Sequence, residues 1–180
     1  MTLKYALTRS TIEPSKGTTC AAGLDLYTPD FNESFLSTFR EKNVSVCKRN
    51  LFSKNVHITL GPGESLQIPL GIKFNIPKGY ALIAFNKSGV SFKQSLVKLA
   101  EVIDSDYQGE VFVTMYNYSS VDTYIYPNQK IIQLILLETP SYTLEHSRES
   151  ELYTVISERG DGSMGSTGLK YNEDTGLIIE

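Results

Sequence analysis

The stretch Val56–Phe85, VHITLGPGESLQIPLGIKFNIPKGYALIAF, decides the fold. Val56-His57-Ile58-Thr59-Leu60, Ser65-Leu66-Gln67-Ile68 and Ile72-Lys73-Phe74-Asn75-Ile76 each alternate apolar with polar residues and end at Gly or Pro. Alternation puts every second side chain on one face of a strand. Gly61-Pro62-Gly63 and Pro77-Lys78-Gly79 supply the turns, because proline presets φ and glycine tolerates positive φ. Short strands with turns between them predict an all-β sandwich or barrel.

The same pattern continues downstream, with strands expected at Tyr80–Phe85, Glu110–Asn117, Thr123–Tyr126 and Ile131–Leu137. Upstream, Ala21-Ala22-Gly23-Leu24-Asp25-Leu26-Tyr27 reads as small residues leading into another strand. Helical character is confined to Asn32–Lys42, where Phe35, Leu36 and Phe39 share a face behind an Asn32 cap, and to a weaker turn at Val90–Ser95. After Glu145 the chain turns polar, and Ser157–Lys170 is rich in Gly and Ser, the composition of a mobile arm. The expected organisation is one β domain over residues 1–156, with an insert at about 30–54, followed by an arm at 157–180.

A chain of 180 residues can bury a core without staples. A net charge of −3 lacks the basic footprint of a nucleic-acid or anionic-membrane binder, so neither partner is expected. No run of 18 apolar residues occurs, and Met1-Thr2-Leu3-Lys4 does not open a signal peptide; the expectation is a cytoplasmic protein, or a nuclear one in a eukaryotic host. Cys20 and Cys47 are read as free thiols.

Four groups of residues carry chemistry. Val102-Ile103-Asp104-Ser105-Asp106-Tyr107-Gln108-Gly109-Glu110 places two carboxylates at a strand edge, on one face if the backbone stays extended. A carboxylate there can activate water, and the neighbouring aromatic can stack on a sugar; the alternative is a solvated Asp-Ser-Asp turn. Asn86-Lys87-Ser88-Gly89 offers a cation, a hydroxyl and a glycine where backbone can approach an anion. Asp25 is a turn acid or a ligand. Arg159, followed by Gly160-Asp161-Gly162-Ser163-Met164-Gly165-Ser166-Thr167-Gly168, can converge on phosphate oxygens, although the P-loop pattern is absent.

In order along the chain, Ala-Ala-Gly-Leu-Asp-Leu-Tyr at 21–27, Lys-Ser-Gly at 87–89, Val-Ile-Asp-Ser-Asp-Tyr-Gln-Gly at 102–109, Ile-Ile-Gln-Leu-Ile at 131–135 and Arg-Gly-Asp-Gly-Ser-Met-Gly-Ser-Thr-Gly at 159–168 resemble the five motifs of the trimeric dUTPases. The resemblance implies a distorted jelly-roll β fold, a homotrimer with shared sites and a mobile C-terminal arm. It also implies Mg2+-dependent hydrolysis of dUTP to dUMP and pyrophosphate.

By resemblance, Asp104 is the general base and Tyr107 packs on the deoxyribose. Lys87, Ser88 and Gly89 meet the phosphates, and Leu99 and Val102 bind substrate in the uracil-reading hairpin. Asp25 and Gln133 hold Mg2+-bound waters. Arg159, Met164, Gly165, Ser166 and Thr167 belong to the arm that closes over base and phosphates.

Departures from the family pattern shape further expectations. Lys87 stands where Arg is usual and loses the planar fork. Met164 stands where Phe is usual. Leu99-Ala100-Glu101 occupies a turn usually rich in glycine, and a carboxylate there either accepts from the amino group of cytosine, broadening base choice, or points to solvent. Asn128-Gln129-Lys130 and Ile132 replace Gly-Asp-Arg and Ala, changes read as structural. The 30–54 insert, with Phe31, Phe35, Phe39, Leu51 and Phe52, is a surface excursion, a trimer contact or a protein-partner site. Two functions compete with the hydrolase: a dUTPase-like regulatory protein with weak turnover, and a dCTP-deaminase-like enzyme.

Overall fold

The computed structural model describes residues 1–44 and 57–162, together with the backbone of 170–171 and 178–179. Two compact units divide the chain, Met1–Ser141 and Tyr142–Glu180.

The first unit holds β1 (Lys4–Leu7), β2 (Ser15–Lys16), β3 (Leu24–Tyr27), α1 (Glu33–Lys42), β4 (Ile58–Leu60), β5 (Ser65–Pro69), β6 (Ile72–Asn75) and β7 (Tyr80–Asn86). It continues with α2 (Ser88–Gln94), β8 (Leu96–Lys98), β9 (Val102–Ile103), β10 (Phe112–Asn117), β11 (Thr123–Ile125) and β12 (Lys130–Glu138). Every ladder among these strands is antiparallel. A five-stranded sheet runs β2-β3-β12-β7-β9, a three-stranded one β5-β10-β8, and β1-β6 and β11-β4 form two pairs. The alternation in the sequence is what the sheets bury: β10 shows strict alternation of half-buried and buried residues, and β6 of buried and exposed ones. Leu26, Ile68, Leu82, Leu96, Met115 and Ile132 are among the side chains that close the core between the sheets.

The described half of the insert belongs to that core. Asn32 caps α1, its Oδ1 accepting from Phe35 N at 3.1 Å, and Arg40 and Lys42 end the helix at the negative pole of its dipole. Phe31, Phe35 and Phe39 stack face to face, with centroid separations of 4.6 and 5.7 Å, and all three are buried. These rings therefore stabilise the fold and offer nothing to a partner; Cys47, Leu51 and Phe52 lie outside the described residues.

Past α1, the buried Asn43 side chain donates to Phe39 O at 2.7 Å and Gln67 O at 2.8 Å, and accepts from Gln67 N at 2.8 Å. A side-chain amide thus takes the place of a neighbouring strand's peptide on the edge of β5.

Two readings of the sequence are corrected. Asp104 and Asp106 do not share a strand face, because residues 104–107 close a turn in which Tyr107 N donates to Asp104 O at 3.1 Å. The strand expected from Glu110 begins at Phe112, since the Glu110 carboxylate is drawn aside to Arg9 and Gly71 N. The helical turn expected at Val90–Ser95 is α2, which starts at Ser88 and ends where Ser95 takes a left-handed conformation.

The second unit contains a short helix, α3 (Glu149–Leu152), and a pair of two-residue strands, β13 (Lys170–Tyr171) and β14 (Ile178–Ile179). Neither was legible in the polar composition. Among the described residues no helix is long and apolar enough to cross a membrane.

Candidate functional site

β3, β12 and β7 lie side by side, and their register sets Gln133 opposite Asp25 on one side and Phe85 on the other. Asn86 and Lys87 follow at the end of β7. The buried Asp25 carboxylate accepts from Lys87 Nζ at 2.5 Å through Oδ1 and from Lys130 Nζ at 3.0 Å through Oδ2. Gln133 Nε2 donates to Asn86 O at 3.1 Å. A Cβ on Gly23 would stand 2.2 Å from Gln133 Oε1, so only glycine leaves the amide where it is. One carboxylate between two ammonium groups leaves a net positive patch, beside the first turn of α2, where the space over Gly89 is open.

Burial pushes the Asp25 carboxyl upward, but the hydrogen bonds and charges of Lys87 and Lys130 overcome this and hold it below its ordinary 3.8. Lys130 is raised in turn, first by its bond to Asp25. A lowered carboxylate pKa contributes stability that is complete above the unfolded value and is lost as pH falls through the folded one. Urea midpoints of the wild type and Asp25→Asn should therefore differ at neutral pH and converge well under pH 3.8. A gap that persists in acid would contradict this linkage.

The second group lies elsewhere. β9 pairs with β7 through Ile103↔Leu82 and Val102↔Ile83, so Asp104 continues past Ala81. Asp104, Tyr107, Gln67 and Val102 line a cavity of about 200 Å³. The Tyr107 hydroxyl donates to Glu110 O at 2.7 Å, and the ring lies so close to Gly109 that a Cβ there would meet the hydroxyl at 2.4 Å. Ala81 and Asn86 stand at opposite ends of β7, roughly 17 Å apart along the strand. Asp25 is farther still, across β12 on β3, on the side of β7 away from β9. One chain brings Asp25, Lys87 and Gln133 together, and Asp104 with Tyr107, but not the two groups to each other.

Residues 52–168 match the dUTPase family. The chain belongs to that family. A deoxyuridine 5'-triphosphate nucleotidohydrolase of Yarrowia lipolytica is 32% identical over 173 residues, which cover 94% of this chain and 90% of the relative. The protein of the same name from Chlamydia pneumoniae is 37% identical over 113 residues, 62% of this chain and 76% of that one. Among solved structures, Staphylococcus bacteriophage 80alpha dUTPase with dUPNHPP superposes with a TM-score of 0.70 at 20% identity, covering 93% of this chain and 98% of that one. This is the dUTPase fold, and it confirms the all-β expectation.

Within this dUTPase, the turn from Leu99 to Glu101 holds more than the sequence suggested. Glu101 O accepts from Ala84 N at 2.7 Å, and its carboxylate is engaged by Lys98, whose side chain is buried. Leu99 and Val102 are exposed on either side. Lys98 and Lys130 were missed as site residues, since a lysine at the end of a strand reads as a solvated cation; for Lys98 the signal was Glu101 three residues on, and for Lys130, whose partner is Asp25, no local signal existed. Lys130 is therefore more than a structural replacement. In the second unit, Arg159 is exposed and its Nε donates to Gly162 O at 3.1 Å. Met164, Gly165, Ser166 and Thr167 lie outside the described residues.

Proposed function

We propose that this dUTPase hydrolyses dUTP to dUMP and pyrophosphate by in-line attack of water on the α-phosphorus, in sites shared between the chains of a homotrimer. The observation that carries this is the meeting of Lys87, Asp25 and Gln133 beside the open first turn of α2, an arrangement suited to a triphosphate. Asp104, on a neighbouring chain, accepts the proton of the attacking water. As the P–O bond to the β-phosphate breaks, charge on the leaving oxygen is met by Lys87 and by Ser88 and Gly89, whose N–H groups open α2 and have no intrahelical acceptor. Tyr107 packs on the deoxyribose. Arg159 contributes a guanidinium suited to phosphate oxygens.

Mg2+, when bound, offsets charge on the triphosphate and remains largely hydrated. The donor set suits it: Lys87 and Lys130 each take one lone pair of Asp25, and a carboxylate with about four such sites can still accept from metal-bound water, next to the Gln133 amide. The reaction belongs in the cytoplasm, where nucleotide pools are maintained. Lys98 engages one oxygen of the Glu101 carboxylate and leaves the other able to accept, so the choice between dUTP and dCTP is read from turnover. A panel of dUTP, dCTP, dTTP and UTP with Mg2+ should release pyrophosphate from dUTP at least tenfold faster than from any other. Binding of dUTP without turnover would favour a regulatory protein instead, and ammonia from dCTP a deaminase.

A further inference from the structure

Arg9 lies between β1 and β2, outside every motif, yet its guanidinium is the most fully engaged cation in the described residues. Nε donates to Glu110 Oε1 at 2.7 Å and Nη2 to Glu110 Oε2 at 2.8 Å, a bidentate pair. Nη1 donates to Ser34 O at 2.7 Å and Ser34 Oγ at 2.9 Å, and Nη2 also to Thr38 Oγ1 at 2.8 Å. A guanidinium has five N–H donors in a fixed plane, and each is used. Both side chains of the pair are close to fully buried. Two of the three groups that Arg9 grips belong to α1, within the insert.

Glu110 passes this order on. Its carboxylate also accepts from Gly71 N at 2.8 Å, so three donors fix it. Its carbonyl oxygen receives the Tyr107 hydroxyl. The Glu110 carbonyl and the Val111 N–H lie in one planar peptide, whose tilt is held jointly by Val111 N donating to Ile72 O at 2.8 Å and by the clamp on the Glu110 carboxylate. Gly109, lacking a Cβ, leaves the space that the Tyr107 ring fills, and the hydrogen bond to that carbonyl holds the ring there.

We propose that α1 positions Tyr107 through Arg9 and Glu110, so that the insert sets how strictly the site rejects a 2′-hydroxyl. This rests on the reading that Tyr107 packs on the deoxyribose. Arg9 and Glu110 are positioning residues and touch no substrate. Arg9→Lys retains the charge but not the planar fork.

The test is the ratio of kcat/KM for dUTP to that for UTP, read as pyrophosphate release by the full chain with Mg2+. Arg9→Lys is expected to lower the ratio about tenfold, as does Tyr107→Phe, with the double variant no worse than either single one. An additive double, or equal losses for both substrates in Arg9→Lys, overturns the proposal. Ser34→Ala/Thr38→Val keeps the Arg9–Glu110 pair and the apolar face of α1, and addresses the helix itself should Arg9→Lys fail to fold. It is expected to lower the ratio about threefold, and an unchanged ratio overturns the role of α1. Tyr107→Ala separates the two layers. If it leaves the ratio unchanged, the ribose reading falls and this inference with it. If it moves the ratio while the Arg9 and α1 variants do not, this inference alone falls.

Discussion

Asp104→Asn is expected to lower kcat for dUTP hydrolysis by about 10²–10⁴-fold, the range that a positioned general base supplies, with a much smaller change in KM. The substitution conserves shape. The turn survives it, because Tyr107 N donates to the Asp104 main-chain oxygen and not to the carboxylate. The cavity with Gln67, Val102 and Tyr107 likewise keeps its walls. What disappears is the capacity to accept a proton from water as the bond to phosphorus forms. Single-turnover measurements with excess enzyme would place the loss in the chemical step. Wild-type kcat in Asp104→Asn would remove Asp104 from the role of base, and the other carboxylate of the turn, Asp106, would be the next to test.

Much of the fold was legible because it obeys short-range rules. α1 is written in the Asn32 cap and in Phe35, Leu36 and Phe39 at helical spacing, and β10 in its alternation. β1 was not legible, since all four of its residues are exposed and no pattern of burial is imprinted on Lys4–Leu7. β2 and β9 are two residues long, shorter than any periodicity can register. At the site, the ordered motifs identified the residues but not their company. That Lys87 and Lys130 converge on one carboxylate follows from the ladders of β12 with β3 and β7, which join residues more than 40 positions apart in sequence. The same holds for Arg9 and Glu110, 101 positions apart. A buried lysine such as Lys98 is the hardest to foresee, since its partner Glu101 reads equally well as a surface acid.

The separation of the two groups along β7 yields the second large effect. If each site takes Asp104 and Tyr107 from one chain and Asp25, Lys87 and Gln133 from another, two inactive variants should repair each other. Lys87→Ala removes the cation that meets the leaving pyrophosphate and is expected to cost about 10²–10³-fold in kcat. Mixed in equal amounts with Asp104→Asn, unfolded and refolded together, the two variants assemble at random. A given site then has about one chance in two of an intact Asp104 and about one in two of an intact Lys87, so about a quarter of the sites are whole. Activity should rise from under a hundredth of wild type to about a quarter of it, the largest gain available from any pair of defective chains. The pair Asp104→Asn with Tyr107→Ala is the control. Both substitutions fall in the group that one chain supplies, so every mixed site lacks one of them and no recovery is expected. Recovery in the control, or none in the test pair once a sizing column shows assembly near three chains, would mean that a single chain closes the distance along β7 by itself, and the shared-site reading would fail.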